Sequence, residues 1–151
     1  VRKTATMMAE QLYERYCFQR TALARQFPFM MSNDVWKGCG RLQPNDEVGD
    51  VLKHGTLGIG FIGGHNAMVA LYGQGHGHNQ KAWDTLYEAV MEMNKVVNEY
   101  KEKYNLNYSV LATPAEGLSG RFTKMDRRKY GKIPGVKLRS TPLRAADISR
   151  M

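Results

Sequence analysis

The stretch from Lys81 to Tyr104 contains neither proline nor glycine, and its apolar residues recur at helical spacing. Trp83, Leu86, Val90, Met93, Val97, Tyr100 and Tyr104 are separated by three, four, three, four, three and four positions. That rhythm draws one apolar stripe along a helix, with Lys and Glu outside it. A helix of this kind needs an apolar surface to lie on, and the stripe reads as core packing; a coiled coil would need more heptads. Strand patterns stand on both sides of it. Gly55 to Gly64 (GTLGIGFIGG) places Leu57, Ile59 and Phe61 on one face, with Gly58 and Gly60 on a nearly bare opposite face. Asn107 to Ala112 (NYSVLA) is short and rich in β-formers. Strand, long helix, strand makes a βαβ unit, so the strands are expected to run parallel in an α/β fold.

Ahead of this unit, Thr4 to about Arg25 reads as a helix, with Met8, Leu12 and Tyr16 on one face. Pro28 ends it, because the residue before a proline avoids helical geometry. Ser32 to Asp46 is a turn-rich connector, and a short helix is expected from about Asn45 to Lys53. A further helix is expected from about Asn66 to Tyr72, followed by a Gly-rich loop, Gly73 to His78.

The net charge of +8 invites a nucleic-acid reading, but its distribution opposes one. Residues 1 to 120 carry 12 basic and 12 acidic side chains, whereas residues 121 to 151 carry 10 and 2. The excess therefore lies in one terminal stretch. No apolar run approaches the ~20 residues of a membrane helix. The two cysteines, Cys17 and Cys39, are too few for a disulfide framework and suit a reducing cytoplasm. The chain begins with Val1 rather than Met, which points to a piece of something longer.

The stretch best suited to chemistry follows the second strand. Thr113 is a good N-cap, Pro114 suits a first helical position, and Glu116 completes a capping box. Gly117 to Phe122 continues as a short helix or loop. A helix start offers free N–H groups to an anion, and ligands of parallel sheets gather at the carboxyl ends of strands. The same box also stabilises a helix without any ligand. A carboxylate at Glu116 would repel a phosphate. Either it turns toward sugar hydroxyls, or the main chain and Ser119 make the anion contacts. His65 and Asn66 stand at the end of the glycine strand, at the same level as Thr113.

Other motifs carry less. Gly58-x-Gly60-x-x-Gly63 matches the dinucleotide-binding pattern but lacks an uninterrupted hydrophobic strand before it. His76 and His78 lack a third ligand, so no metal site is expected and both read as loop surface. Cys39 has no activating neighbour in sequence and reads as structural.

Two longer stretches add a resemblance: Val51 to Gly63 (VLKHGTLGIGFIG) and Tyr104 to Phe122 (YNLNYSVLATPAEGLSGRF). With Arg41 to Asp46 (RLQPND) and Lys124 to Gly131 (KMDRRKYG), they resemble the anaerobic, class III glycyl-radical ribonucleoside-triphosphate reductases. The resemblance covers about residues 1 to 136. It implies part of a ten-stranded α/β barrel that reduces a ribonucleoside triphosphate at its 2′ carbon. It further implies a glycyl radical installed by a separate radical-SAM activating enzyme, a structural zinc, nucleoside triphosphates as substrate and effector, and a cytoplasmic homodimer with neither membrane nor specific nucleic-acid partners. The substrate site would include Thr113, Pro114, Ala115, Glu116, Gly117 and Ser119, with His65 and Asn66 beside them. Glu116 is the one catalytic candidate.

The departures are as informative. The family's radical-bearing cysteine loop lies upstream of this stretch, and its glycyl-radical motif and zinc-binding cysteines lie downstream. Its nucleotide-sensing N-terminal domain has no match here. Many members carry a Glu where Gly64-His65-Asn66 stands. From Lys137 onward the likeness ends: residues 137 to 151 carry Lys137, Arg139, Arg144 and Arg150 against only Asp147. A frameshift or truncation near Val136 would account for this. Translation of the source DNA in its other frames checks it, and the idea fails if none contains the family's continuation. On this reading the chain alone does not turn over. The alternatives are a free-standing nucleotide-binding module and a basic protein that binds nucleic acid through residues 121 to 151. The second predicts salt-sensitive binding lost with the tail.

Overall fold

A computed structural model describes residues 1–113 and 115–136; the proposed capping residue Pro114, the side chain of Glu116 and the basic stretch 137–151 lie outside the described residues. The helices are α1 (Arg2–Gln19), α2 (Pro28–Ser32), α3 (Gly49–Leu52), α4 (Gly64–Tyr72), α5 (Gln80–Tyr104) and α6 (Glu116–Tyr130). The strands are β1 (Thr56–Phe61) and β2 (Asn107–Ala112). They are hydrogen-bonded neighbours. Asn107 meets Thr56 at one end, and Thr113 meets Phe61 at the other, so the pair is parallel. The expected β–α–β unit is therefore present, as a mixed α/β arrangement. The chain divides into two compact units, Val1–Ile59 with Met93–Ser109, and Gly60–Glu92 with Val110–Met151.

In the first unit, α1 and the second half of α5 are joined through tyrosines. Tyr108, fully buried at the start of β2, donates its hydroxyl to the Ala9 carbonyl at 3.1 Å. Tyr13 stacks on Tyr104 with centroids 3.6 Å apart. Tyr100 donates to the Glu10 carboxylate and thereby holds that carboxyl below its ordinary pKa. The contact face of α1 is made of small residues, Ala5 and Ala9, which let a ring approach the main chain. Met8, expected on that face, is exposed instead.

Between α1 and β1 lies a small core of Ala24, Cys39, Val48 and Val51, with Phe27, Trp36 and Leu42 packed against it. It explains two departures from expectation. α1 stops at Gln19, well short of Arg25, because the chain after it pairs with residues 44–48. Ala24 donates to Asp46, Arg25 to Pro44, and Val48 to Ala22. Asn45, Asp46 and Glu47 are committed to that pairing, so the expected 45–53 helix shrinks to α3. Cys39 is buried, with Sγ 3.3 Å from both the Met30 carbonyl and Asp34 Oδ1, in keeping with a structural thiol.

In the second unit the first half of α5 packs on α4 through Met68, Ala82 and Leu86. The Asn79 side chain caps α5 by accepting the Ala82 amide at 3.1 Å. A Cβ at Gly64 would lie 2.9 Å from Leu86 Cδ1, so a side chain where α4 starts against α5 would require Leu86 to shift. All seven stripe residues are at least partly buried, and Ala82 and Val96 beside them are fully buried. α6 runs to Tyr130, well past the Phe122 end expected from sequence.

Burial, then neighbouring negative charge, pushes Tyr100 and Tyr108 from about 10 up to about 12. A raised folded-state pKa stabilises below the unfolded value and is lost as pH climbs through the folded one. The unfolding midpoint should therefore fall as pH rises from about 10 to about 12. Tyr108→Phe should flatten that decline and, at neutral pH, cost about 1 kcal/mol for the lost bond to Ala9. Chemical unfolding across pH measures both.

Candidate functional site

The carboxyl ends of β1 and β2 lie side by side in the second unit. The Thr113 amide donates to the Phe61 carbonyl at 3.2 Å, so strand pairing continues one residue past Ala112. On the adjacent face Thr113 also explains the bare strand. A Cβ at Gly60 would lie 2.5 Å from Thr113 Oγ1. The missing side chain in β1 thus makes room for its neighbour in β2.

This geometry corrects the cap expected from sequence. Thr113 belongs to the strand pair and does not cap a helix. The N-cap of α6 is Ala115, left-handed at φ 38°, with no side-chain capping bond. A non-glycine residue in that region costs about 1–2 kcal/mol, which the surrounding fold must offset. β1 leaves in the same manner: Gly63, at φ 81°, is the N-cap of α4. Each parallel strand therefore feeds a helix start through one left-handed residue, and both strands make that exit at the same end of the sheet. Gly58 and Gly60 lie inside β1 rather than in a turn after it, which removes the dinucleotide-fingerprint reading.

The predicted residues distribute as follows. His65 and Asn66 occupy the first turn of α4. Gly117 is exposed in the first turn of α6, and apart from its chain neighbours and the backbone of its own helix no described atom lies within 4 Å of where its Cβ would be; Gly120 has the same open space. Ser119 is 5% exposed. Its amide donates to the Ala115 carbonyl at 2.8 Å, and its carbonyl accepts from Thr123 at 2.8 Å, so its main-chain groups are used within the helix. Neither α4 nor the connection into it brings an acidic residue to its first turn, which leaves its positive end without a carboxylate of its own. At α6, the basic residues Arg127, Arg128 and Lys129 sit in the last turn, where they complement the helix dipole.

His76 departs from the loop-surface expectation. Its ring lies edge-on to His65 and close to Trp83, and its Nδ1 is buried. The sequence carries one hint of this contact, the alternation Gly73-x-Gly75-x-Gly77 around His76. A hollow of about 390 Å³ lined by Thr123, Asp126, Arg127, Lys132, Ile133 and Val136 lies at the far end of α6, away from these helix starts.

Gly60→Ala should destabilise the chain by about 1–3 kcal/mol through overlap with Thr113. The penalty should largely vanish in a Thr113→Ala background, since Thr113 Cβ is 3.5 Å from the added atom. A double-mutant cycle by chemical unfolding measures this coupling.

Comparison with known proteins places the chain in a family. The family model for anaerobic ribonucleoside-triphosphate reductase matches residues 1–142, which takes in the first residues of the basic stretch. The anaerobic ribonucleoside-triphosphate reductase of Escherichia coli is 32% identical over 102 residues, covering 65% of this chain and 14% of that protein. That of Haemophilus influenzae is 30% identical over 102 residues, and that of bacteriophage T4 is 32% identical over 98 residues, again 14% of each protein. The chain thus aligns with about one seventh of the length of these curated relatives. A family model that spans nearly the whole sequence settles the assignment: this chain belongs to the anaerobic ribonucleoside-triphosphate reductase family.

Proposed function

We propose that the chain is a segment of an oxidoreductase that reduces ribonucleoside triphosphates to 2′-deoxyribonucleoside triphosphates by radical chemistry without oxygen. Its part is to hold the substrate. The observation that carries this reading is the shared strand edge, where the Thr113–Phe61 bond aligns two helix starts. Free N–H groups there suit a triphosphate, and the bare Gly117 lets a phosphate approach the main chain. His65 and Asn66 supply polar contacts on the neighbouring helix.

Two features support membership of a larger body. A two-stranded parallel sheet is too small to stand alone, and parallel sheets are normally covered on both faces. In addition, Leu118, Phe122 and Met125 form a stripe on α6 at spacings of four and three, and each is about half exposed, at 51%, 46% and 51%. In this reading β1 and β2 are neighbouring strands of a ten-stranded barrel, and the stripe packs against parts of the enzyme beyond this chain. Among the described residues no three His, Cys, Asp or Glu side chains converge, so none is assigned to a zinc. In this reading the zinc, the glycyl radical and the homodimer contact belong to other parts of the whole protein, the activating enzyme is a separate partner, and the whole would work in the cytoplasm. Among the described residues no helix is long and apolar enough to cross a membrane.

A second reading draws on the exposed Arg121, Lys124, Arg127, Arg128 and Lys129 of α6. It predicts DNA or RNA binding that weakens steeply with salt.

Calorimetric titration with CTP and ATP tests the first reading. The chain should bind weakly. Gly117→Ala should weaken binding about tenfold, equivalent to about 1.4 kcal/mol. The same change should raise stability by up to about 1 kcal/mol, because alanine is the better helix former and the space is open. Unchanged binding would remove the turn from the site, and tight binding by a stable monomer would favour a free-standing module.

A further inference from the structure

The proposed substrate contact at His65 is held by residues that no part of that reading uses. α4 ends at Gly73, whose left-handed φ of 76° turns the chain back, and its amide closes on the Val69 carbonyl at 2.9 Å. The loop that follows is tied by the His78 amide to the Gly75 carbonyl at 3.0 Å. This return brings Gly75 against the His65 ring. A Cβ on Gly75 would overlap His65 Cε1 and lie 2.5 Å from His65 Nδ1. Gly75 is buried and is not among the positive-φ glycines, so its lack of a side chain serves the contact rather than the backbone angle.

The next residue completes the support. The His76 ring meets His65 edge-on, with centroids 5.7 Å apart and planes at 79°. Behind it, Trp83 in the first turns of α5 lies 6.2 Å from His76. His76 Nδ1 is buried and has no hydrogen-bond partner among the described residues. A nitrogen left in that condition is costly, so polar bonding is not what holds the ring in place. Ring shape and edge contact are what it contributes. Trp83, His76 and His65 thus form a series of ring contacts that runs from the first turns of α5 to the first turn of α4.

We propose that the Gly73–His78 loop is a ring seat that fixes the orientation of His65, with Gly75 and His76 as positioning residues for nucleotide binding. The proposal rests on the reading of His65 as a substrate contact. It makes the loop composition functional: glycine at 75 for clearance, and a flat ring at 76 for the buttress.

The chain has only four histidines, so ¹³Cε1-labelled histidine gives four resonances, assignable by single His→Gln changes. Gly75→Ala and His76→Ala should each shift the His65 resonance and weaken CTP or ATP binding several-fold. Gly77→Ala is the control on the same loop, since apart from its two chain neighbours no described atom lies within 4 Å of its added Cβ. It should leave both readouts unchanged. His76→Phe keeps the ring and removes the unpartnered nitrogen, so it should retain binding and raise the unfolding midpoint. An unmoved His65 resonance in both Gly75→Ala and His76→Ala overturns the seat. So does a His76→Phe variant that binds as weakly as His76→Ala. If Gly75→Ala fails to fold, the His76 pair alone decides. Absent nucleotide binding by the unsubstituted chain would overturn the functional reading, while the resonances would still judge the seat.

Discussion

The bond from the Thr113 amide to the Phe61 carbonyl is the constraint on which the candidate site depends. It sets the point at which two parallel strands stop together. Beyond it each strand leaves through one left-handed residue, Gly63 or Ala115, into a helix, α4 or α6. A cap at Thr113 would have drawn the helix start two residues earlier and broken the strand pairing. The ladder bond prevails because Thr113 also fills the space above Gly60, so side chain and main chain hold the same arrangement.

Missing side chains determine much of the packing. Gly60 admits Thr113, Gly64 admits Leu86, and Gly75 admits His65. In the first unit Ala9 has the same role, since its small side chain allows the Tyr108 hydroxyl to reach its carbonyl. Close-packed interiors make each such vacancy specific to one neighbour. Gly60 and Gly75 are therefore better understood by asking which side chain uses their space than by assuming a ligand. At α6 the pattern reverses: Gly117 and Gly120 face open space, and there the substrate reading has room.

Where sequence and structure agree, the signal was periodic and long. The stripe on α5 repeats over many turns, and β2 has the bounds Asn107–Ala112 that its composition suggests. Where they differ, a distant partner decided. α1 ends early because residues 22–25 pair with residues 44–48, a relation that no local window contains. Met8 lies outside the packed face because tyrosines, not aliphatic side chains, cover α1. The residues of the candidate site were legible by resemblance and by their position after strands. The cap was not, because local preference at Thr113 and Glu116 competes with a hydrogen bond from another strand. His76 was hidden for a similar reason: a Gly-rich loop gives no indication of what it folds back against.

By itself the sequence determined the β–α–β order, the parallel sense that follows from a long crossover helix, the apolar stripe of α5 and the family. The first three depend on composition and periodicity, which act over short separations along the chain, and the family depends on the resemblance of whole motifs. Tertiary structure alone decided which residue starts α6, what the bare face of β1 accommodates, and how His65 is held against Gly75 and His76. Those are contacts between residues brought together by folding, and their energies do not exist until the chain has closed on itself.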